Sequence, residues 1–430
     1  MIKKYVILIL AMIFSISGPV LTQSYADQEI VSFSSSDDLL ERIKGMSLDF
    51  LMEWDNRVYL VVSPQELREL RRRRIPVIVE TALFHQKDSE RISAQTSLNG
   101  IFHSYKEAEK VMMDLAQDYP EIAAVVDIGD SLEGRNIYAL KISDNVSAEE
   151  NEPAVMITGC HHAREWISVE VPLLFCQHVV QNYASNLQIR QMVNQSEIWV
   201  IPIVNPDGLE YSIHYYRYWR KNMRNNADGT YGVDLNRNYG YMWGLDDEGS
   251  SSTTNSGVYR GTGPFSEPET QAVRDLFDQR DFQSLISYHS HGRVILYPWG
   301  YTRTPSTQET ALKALGDGMA AVIQQVNGNT YRVARAGAGL YITNGDTTDW
   351  VFGVYGKPAY TFELPPIDRL HGEFYNSESD IQPIFNENLP ALLHIIDYSI
   401  QNWSGDSNLT RQGQKRRLPK IDIHKIPIKK

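Results

Sequence analysis

Cysteine is nearly absent: Cys160 and Cys176 are the only two in a chain of 430 residues. One lies in the loop motif described below and the other in the helical run after it, so both are expected as buried free thiols rather than a bridge. Positive charge is in deficit. The 41 Lys and Arg stand against 53 Asp and Glu, a formal net charge of -12, which argues against a general nucleic-acid binder. Internal repeats are lacking. Long apolar runs are lacking too, beyond Tyr5 to Phe14, which is short against the roughly 20 residues of a membrane-spanning helix. The rest of the composition, 42% hydrophobic and 22% charged, is that of a globular chain long enough for more than one domain.

What is present divides the chain into segments. Residues 1–26 combine Lys3 and Lys4, the apolar run and the small-residue pattern Ser24-Tyr25-Ala26, which reads as a secretory signal peptide rather than a retained anchor. The protein is therefore expected outside the cytoplasm, secreted or periplasmic, with no membrane attachment after cleavage. Residues 27–80 read as strand (Ile30 to Phe33), helix (Asp37 to Lys44), strands (Leu48 to Met52, Val58 to Val62), helix (Pro64 to Arg73) and strand (Pro76 to Val79). That order is a small α+β split-βαβ module. Ser63, Pro64 and Glu66 give its second helix a capping box with proline at the first position. The run Arg71 to Arg74 reads as a solvated helix end favoured by the macrodipole. Residues 81–98 are polar and without periodicity, and exposed polar connectors are where proteases cut. A compact module followed by a cuttable linker suggests a zymogen whose partner is an activating protease, a plain inter-domain linker being the alternative. Residues 404–430 are basic with little to pack, and are expected to be disordered or removed.

Residues 99–403 form the second domain. Ser104 and Glu107 cap a helix to about Gln117, and strands follow at Ala123 to Ile128, Ile137 to Ser143 and Ala154 to Gly159. A helix (Ser168 to Tyr183), a strand (Ile198 to Val204) and a long polar, aromatic and basic segment from Asn205 to Thr262 come next. Ser266 and Glu269 are expected to cap a helix leading to the strand Gln283 to His289; then come a strand (Val294 to Tyr297), a helix near Gln308 to Val326, a strand (Ala359 to Leu364) and a closing helix to about Gln401. Helices alternating with apolar strands imply an α/β fold, a mixed, mostly parallel twisted sheet with helices on both faces.

Between the apolar strand Val155-Met156-Ile157 and a helix facing inward through Val169, Pro172, Leu173 and Phe175 lies the run Thr158-Gly159-Cys160-His161-His162-Ala163-Arg164-Glu165-Trp166. It stands at a strand's C-terminal end, where ligand sites of open α/β sheets gather. His162 and Glu165, three positions apart, can converge on one cation across a turn. Catalytic zinc takes three protein ligands and keeps a position for water, so a further histidine is required. Ser287-Tyr288-His289-Ser290-His291, where a buried strand ends in histidine, supplies it. On residue type alone His161, His162, His289 and His291 compete for the role.

His162-Ala163-Arg164-Glu165-Trp166, Trp219-Arg220-Lys221-Asn222, Val233-Asp234-Leu235-Asn236-Arg237-Asn238, His289-Ser290, Asp349-Trp350 and Phe362-Glu363-Leu364 occur in this order. From about Asn99 to Gln401 the chain thereby resembles zinc carboxypeptidases of the A/B type. Lys141 to Val146, Asn205 to Gly208 and Tyr341 to Thr343 are similar to the bacterial carboxypeptidase T branch. Each motif is weak alone, whereas their joint occurrence is highly specific. The resemblance implies a monomeric enzyme that removes C-terminal residues from peptides and proteins, with one catalytic zinc on His162, Glu165 and His289. It implies Glu363 as general base, and a carboxylate on the apolar strand Tyr360 to Leu364 would be costly in a merely structural role. Arg220, permanently charged and forked, would stabilise the oxyanion. Asn236 and Arg237 would hold the substrate's α-carboxylate, Tyr341 would close over it, and Arg164 would be an accessory substrate-binding arginine. Asp234 would orient His162.

In this family the pocket for the C-terminal side chain is floored by the stretch before the Asp-Trp pair. Thr348 there is neither large and apolar nor acidic, while Asp346 supplies a negative charge that can meet a basic side chain through water. Leu296 and Leu340 offer apolar walls. The resemblance thus implies release of hydrophobic and basic residues, with acidic ones and proline disfavoured. A calcium site is a candidate at Asp144, Glu149, Glu150, Glu152 and Glu197, which supply hard oxygen ligands; a solvated acidic loop is the alternative, and the T branch has a further acidic ligand where this chain has Ala154. Two other functions compete. A cell-wall peptidase on this fold would be expected to vary Asn236, Arg237 or Tyr341, and an inactive peptide-binding homologue to lose Glu363 or a zinc ligand; all are present.

Overall fold

The computed structural model describes residues 28–43, 45–54, 56–94, 97–148, 150–365 and 376–404. The expected signal peptide, Glu149 and the tail from residue 405 lie outside the described residues. In the N-terminal module, β1 (Glu29–Ser34), α1 (Asp37–Ile43), β2 (Asp49–Trp54), β3 (Arg57–Val62), α2 (Pro64–Arg72) and β4 (Ile78–Val79) build a four-stranded sheet in the order β2-β3-β1-β4, antiparallel at every pairing. Strand side chains alternate between faces. Val31, Phe33, Val58, Leu60 and Val62 turn to Leu39, Leu67 and Leu70 of the two helices, while Ile30, Tyr59 and Val61 point the other way, toward the larger body. The capping box of α2 forms as its sequence indicates, with Ser63 N–H donating to Glu66 Oε2 at 2.8 Å.

The segment 81–98 is not an irregular linker: α3 (Thr81–Ala94) is a helix. Its apolar residues do not share one face, so periodicity conceals it. Its anchor is tertiary, since buried Phe84 packs between Tyr59 (6.0 Å between ring centroids) and Tyr218 of the larger body (5.5 Å).

The larger body runs α4 (Tyr105–Asp118), β5 (Ala123–Asp130), β6 (Asn136–Ile142), β7 (Ala154–Thr158), α5 (Ile167–Asn182), α6 (Leu187–Val193), β8 (Glu197–Ile201), α7 (Pro206–His214), α8 (Pro268–Asp278), β9 (Phe282–Ser290), β10 (Val294–Tyr297), α9 (Glu309–Asn327), β11 (Arg332–Arg335), α10 (Ala336–Gly339), α11 (Thr347–Tyr355), β12 (Ala359–Leu364) and α12 (Ile381–Gln401). Its eight strands lie in the order β11-β10-β12-β9-β7-β8-β6-β5. The centre, β12-β9-β7-β8, is parallel, and β6, β5 and β10 pair antiparallel with their inner neighbours. Central strands are apolar on both sides. In β7, Val155 and Ile157 face the core shared with α4, α5, α9 and α12, whereas Ala154 and Met156 face the one shared with α8 and α11.

Some local expectations change. No cap forms from Ser266 and Glu269: Glu267 occupies the N-cap position of α8, and both glutamates accept from Asn222, at 2.8 and 3.3 Å. The tertiary partner outweighs the local one. The stretch after Asn205 opens with α7, whose start carries Pro206 at its first turn and the Asn205 side chain accepting from Gly208 N–H. Cys160 and Cys176 are buried free thiols.

Candidate active site and metal centre

The chain leaves β7 through a turn with no room for a side chain. A Cβ on Gly159 would sit 2.1 Å from the carbonyl oxygen of Ser168 and 2.8 Å from that of Pro202, so glycine is required by backbone approach. Beyond it His162 and Glu165 emerge at the strand edge. The parallel register that sets Thr158 against Ser287 brings the end of β9 alongside, and β12 sets Glu363 opposite His289. Three strand ends therefore deliver the motif residues to one edge of the sheet.

There the donors converge. His162 Nδ1 lies 2.8 Å from Glu165 Oε1, His289 Nδ1 lies 3.0 Å from Glu165 Oε2, and the two Nδ1 atoms are 3.0 Å apart. All three residues are buried. His162 Nε2 meets Asp234 Oδ1 at 3.1 Å; the acceptor fixes the proton on Nε2 and leaves the Nδ1 lone pair facing its counterpart on His289. Two nitrogen donors and a carboxylate oxygen aimed at one point are the set that catalytic zinc uses with a further position open, and this His-Glu-His group is a zinc-binding group. Burial opposes ionisation of Glu165, and the two imidazoles outweigh it, holding the carboxyl well below its usual range.

The competing histidines are engaged elsewhere. His161 is fully buried, with Nε2 2.9 Å from Tyr239 Oη and its ring stacked 5.5 Å from that of His289. Burial, then the neighbouring imidazoles, keep it neutral, well below the ordinary histidine range. His291 Nε2 contacts the carbonyl oxygen of Leu51 at 2.8 Å, and burial lowers its pKa to about 4.

A family model described as zinc carboxypeptidase, Peptidase_M14, matches residues 108–391. The chain belongs to the M14 zinc carboxypeptidase family. It is 33% identical over 300 residues to carboxypeptidase O of Bos taurus, covering 69% of this chain and 78% of the relative. It is 34% identical over 308 residues to carboxypeptidase B of Astacus astacus, covering 70% and 98%. Among solved structures, bovine thrombin-activatable fibrinolysis inhibitor in complex with tick carboxypeptidase inhibitor aligns at a TM-score of 0.64 and 30% identity, over 70% of this chain and 98% of that one. A structure of thrombin-activatable fibrinolysis inhibitor aligns over 88% of this chain and 100% of that one, at a TM-score of 0.70 and 26% identity.

Around the metal group of this carboxypeptidase, Asp234 is the hub. Its Oδ1 accepts from His162 and from Asn236 N–H (3.0 Å), while Oδ2 accepts from Arg220 Nε at 3.0 Å and Nη2 at 2.9 Å. Burial opposes its charge, but Arg220 and His162 keep it ionised well below the ordinary range. Asn236 Oδ1 accepts from Thr347 N–H (3.0 Å) and Oγ1 (2.8 Å), and its Nδ2 lies 3.4 Å from His289 Nε2. Arg237 spends Nε on Gly249 O (2.9 Å) and Nη1 on Asn236 O (2.8 Å), with its Cζ 6.0 Å from the centre of the Tyr341 ring, a residue 38% exposed. Glu363 is half-buried; desolvation, then the Glu165 charge, raise its pKa well above the usual value.

Ahead of the Asp349-Trp350 pair, Asp346 caps α11. Its Oδ1 accepts from Asp349 N–H (2.8 Å) and Thr348 Oγ1 (2.9 Å), and its Oδ2 from Thr343 Oγ1 (2.6 Å). Asp349 lies beneath, accepting from Gly300 and Tyr301 N–H at 2.9 Å. Asp346 is thus a structural cap as well as a charge. Arg164 is not open to the cleft: it is fully buried in a two-bond pair with Asp49 of the N-terminal module, at 2.7 and 2.8 Å. Sequence reasoning missed Asp49, Thr347 and the Leu51 carbonyl. Only a contact across distant segments marks them.

Asp144, Glu150 and Glu152 do gather, but Glu197 is turned to the Lys141 ammonium, 2.6 Å away. That ion pair satisfies Glu197 internally, and no calcium is assigned here.

Proposed function

We propose that this protein is a secreted precursor whose mature form binds one zinc ion through His162, Glu165 and His289 and hydrolyses the terminal peptide bond of peptides and proteins. The observation carrying this reading is the buried convergence of those donors with Glu363 in register beside them. Zinc held there supplies Lewis-acid polarisation of the scissile carbonyl and acidifies water toward a pKa of ~7. Glu363 accepts the water's proton on a carboxylate oxygen and passes it to the departing amine nitrogen. Arg220, fixed by Asp234, donates to the carbonyl oxygen as negative charge develops. Arg237 and the Asn236 amide hold the substrate's terminal carboxylate, and exposed Tyr341 closes over it. Asn236 is braced for this by Thr347. Zinc content and release of C-terminal residues, measured on the wild type, His289→Ala and His291→Ala, test the assignment. Loss of zinc and activity is expected for His289→Ala. Zinc retained there but lost in His291→Ala would reverse the ligand roles.

The N-terminal module is read as an inhibitory pro-domain, residues 27–80, with residues 81–98 as the activation segment. Its support is Asp49, buried on Arg164 and 4.0 Å from Arg220. Among the described residues no helix is long and apolar enough to cross a membrane. Within the family, the carboxypeptidase T-like segments and the pair Asp346 and Thr348 favour release of both hydrophobic and basic residues.

A further inference from the structure

Arg237, the anchor proposed for the substrate's terminal carboxylate, is held from behind by a loop that no motif marks. Its Nε donates to Gly249 O at 2.9 Å and its Nη1 to Asn236 O at 2.8 Å, and the residue is buried. Those two bonds set the plane of the guanidinium. A bidentate grip on a carboxylate depends on that plane, because the fork is rigid and its bonds run parallel.

Gly249 is held in turn by Asp246 and Asn344. Asp246 Oδ1 accepts from the N–H groups of Glu248 (2.9 Å) and Gly249 (3.2 Å), which folds the loop 246–250 back on itself. The same oxygen accepts from Asn344 Nδ2 at 2.8 Å. Asn344 N–H donates to Gly249 O at 3.3 Å, so one carbonyl receives Arg237 and Asn344 together. The approach excludes any side chain between them: a Cβ on Gly249 would fall 2.6 Å from Asn344 Nδ2 and 2.8 Å from its backbone N. Asn344 is fully buried, and Ser250 Oγ donates to its Oδ1. In the chain it stands between Tyr341, proposed to close over the carboxylate, and Asp346, proposed to meet the side chain.

We propose that Asp246 and Asn344 are positioning residues for recognition of the free C-terminus. Together they fix the Gly249 carbonyl that aims Arg237, and neither touches substrate. The inference rests on the carboxypeptidase reading above. Asp246 acts as an acceptor rather than as a charge, since its Oδ1 receives neutral amide donors throughout. An asparagine oxygen can serve in the same way.

The test compares the activated, zinc-loaded wild type with Asp246→Ala, Asp246→Asn and Asn344→Ser on a peptide ending in phenylalanine, and adds two inhibitors, hydrocinnamate and its primary amide. Asp246→Ala and Asn344→Ser are each expected to raise KM by about three- to tenfold, the size of one hydrogen bond, with kcat and zinc content kept. The inhibition constant of the carboxylate should rise by the same factor and that of the amide should stay, because only the carboxylate needs the aimed fork. Asp246→Asn should recover most of the loss. An unchanged KM, equal weakening of acid and amide, or an Asp246→Asn variant as impaired as Asp246→Ala would each overturn the proposal. Should Asp246→Ala fail to fold, Asn344→Ser decides by KM and the inhibitor pair. A wild type that releases no residue from the peptide would defeat the carboxypeptidase reading itself.

Discussion

At Glu363 the chemistry and the environment pull in one direction. The strand around it is apolar and the neighbouring Glu165 is negative, so its proton is held above the ordinary carboxylate range. A base works only when deprotonated. Activity should therefore fall as pH drops through a limb lying above the usual value of 4.5, read from a kcat/KM profile on a neutral substrate. Glu363→Gln should keep zinc and lose turnover by about 10²–10⁴-fold, as removal of a general base does; metal analysis alongside kcat checks it, and an effect on substrate affinity alone would contradict the role. At the proposed side-chain pocket, Asp346→Asn retains a side chain able to cap α11 and removes the charge. Release of C-terminal Arg and Lys should drop relative to Leu and Phe with little change in melting temperature. An equal loss on every substrate would assign Asp346 to the helix cap alone.

Among the elements, the parallel trio β7, β9 and β12 made the centre legible in advance, because the apolar runs of β9 and β12 end directly before His289 and Glu363, and that of β7 leads into the loop that carries His162 and Glu165. Ligand type and strand-end position are local properties, and His162, Glu165, His289 and Glu363 could be read from them with the family pattern. Residue type alone left four histidines open; the family pattern chose His162 and His289, and strand register brings the ends of β7 and β9 side by side. Asp49 stayed invisible because its partner Arg164 is 115 positions away, and α3 because its anchor, Phe84, is a tertiary contact. The β2 contact gives its own prediction. Gly257→Ala places a methyl group against Asp49, and overpacking of that kind costs about 1–3 kcal/mol. The cost exists only while the module is docked. The precursor should thus gain peptidase activity while the mature enzyme keeps its own, as assays before and after proteolytic activation would show.

For the whole molecule, the His-Glu-His group and the N-terminal module meet at the same edge of the sheet. Zinc at a thousandfold excess over its Kd adds about 4 kcal/mol to stability by mass action, so a chelator should lower the melting temperature and free zinc should restore it. No shift would exclude a bound structural consequence of the His-Glu-His group. The helical state of α3 reaches further. A protease accepts an extended strand, not a helix, so a cut in this segment must wait for the backbone to open. Phe84 is the one buried side chain from Thr81 to Glu90, and a helix of this length holds poorly by itself. On the proposed zymogen reading, its open population, rather than the abundance of protease alone, would meter how long the precursor stays silent. Gln86→Gly, which removes a good helix former and its 2.8 Å bond to Glu90, should shorten the precursor's half-life under limiting protease by about two- to fourfold. On that reading the connector is a timer, wound by fourteen residues of helix and held at one aromatic peg.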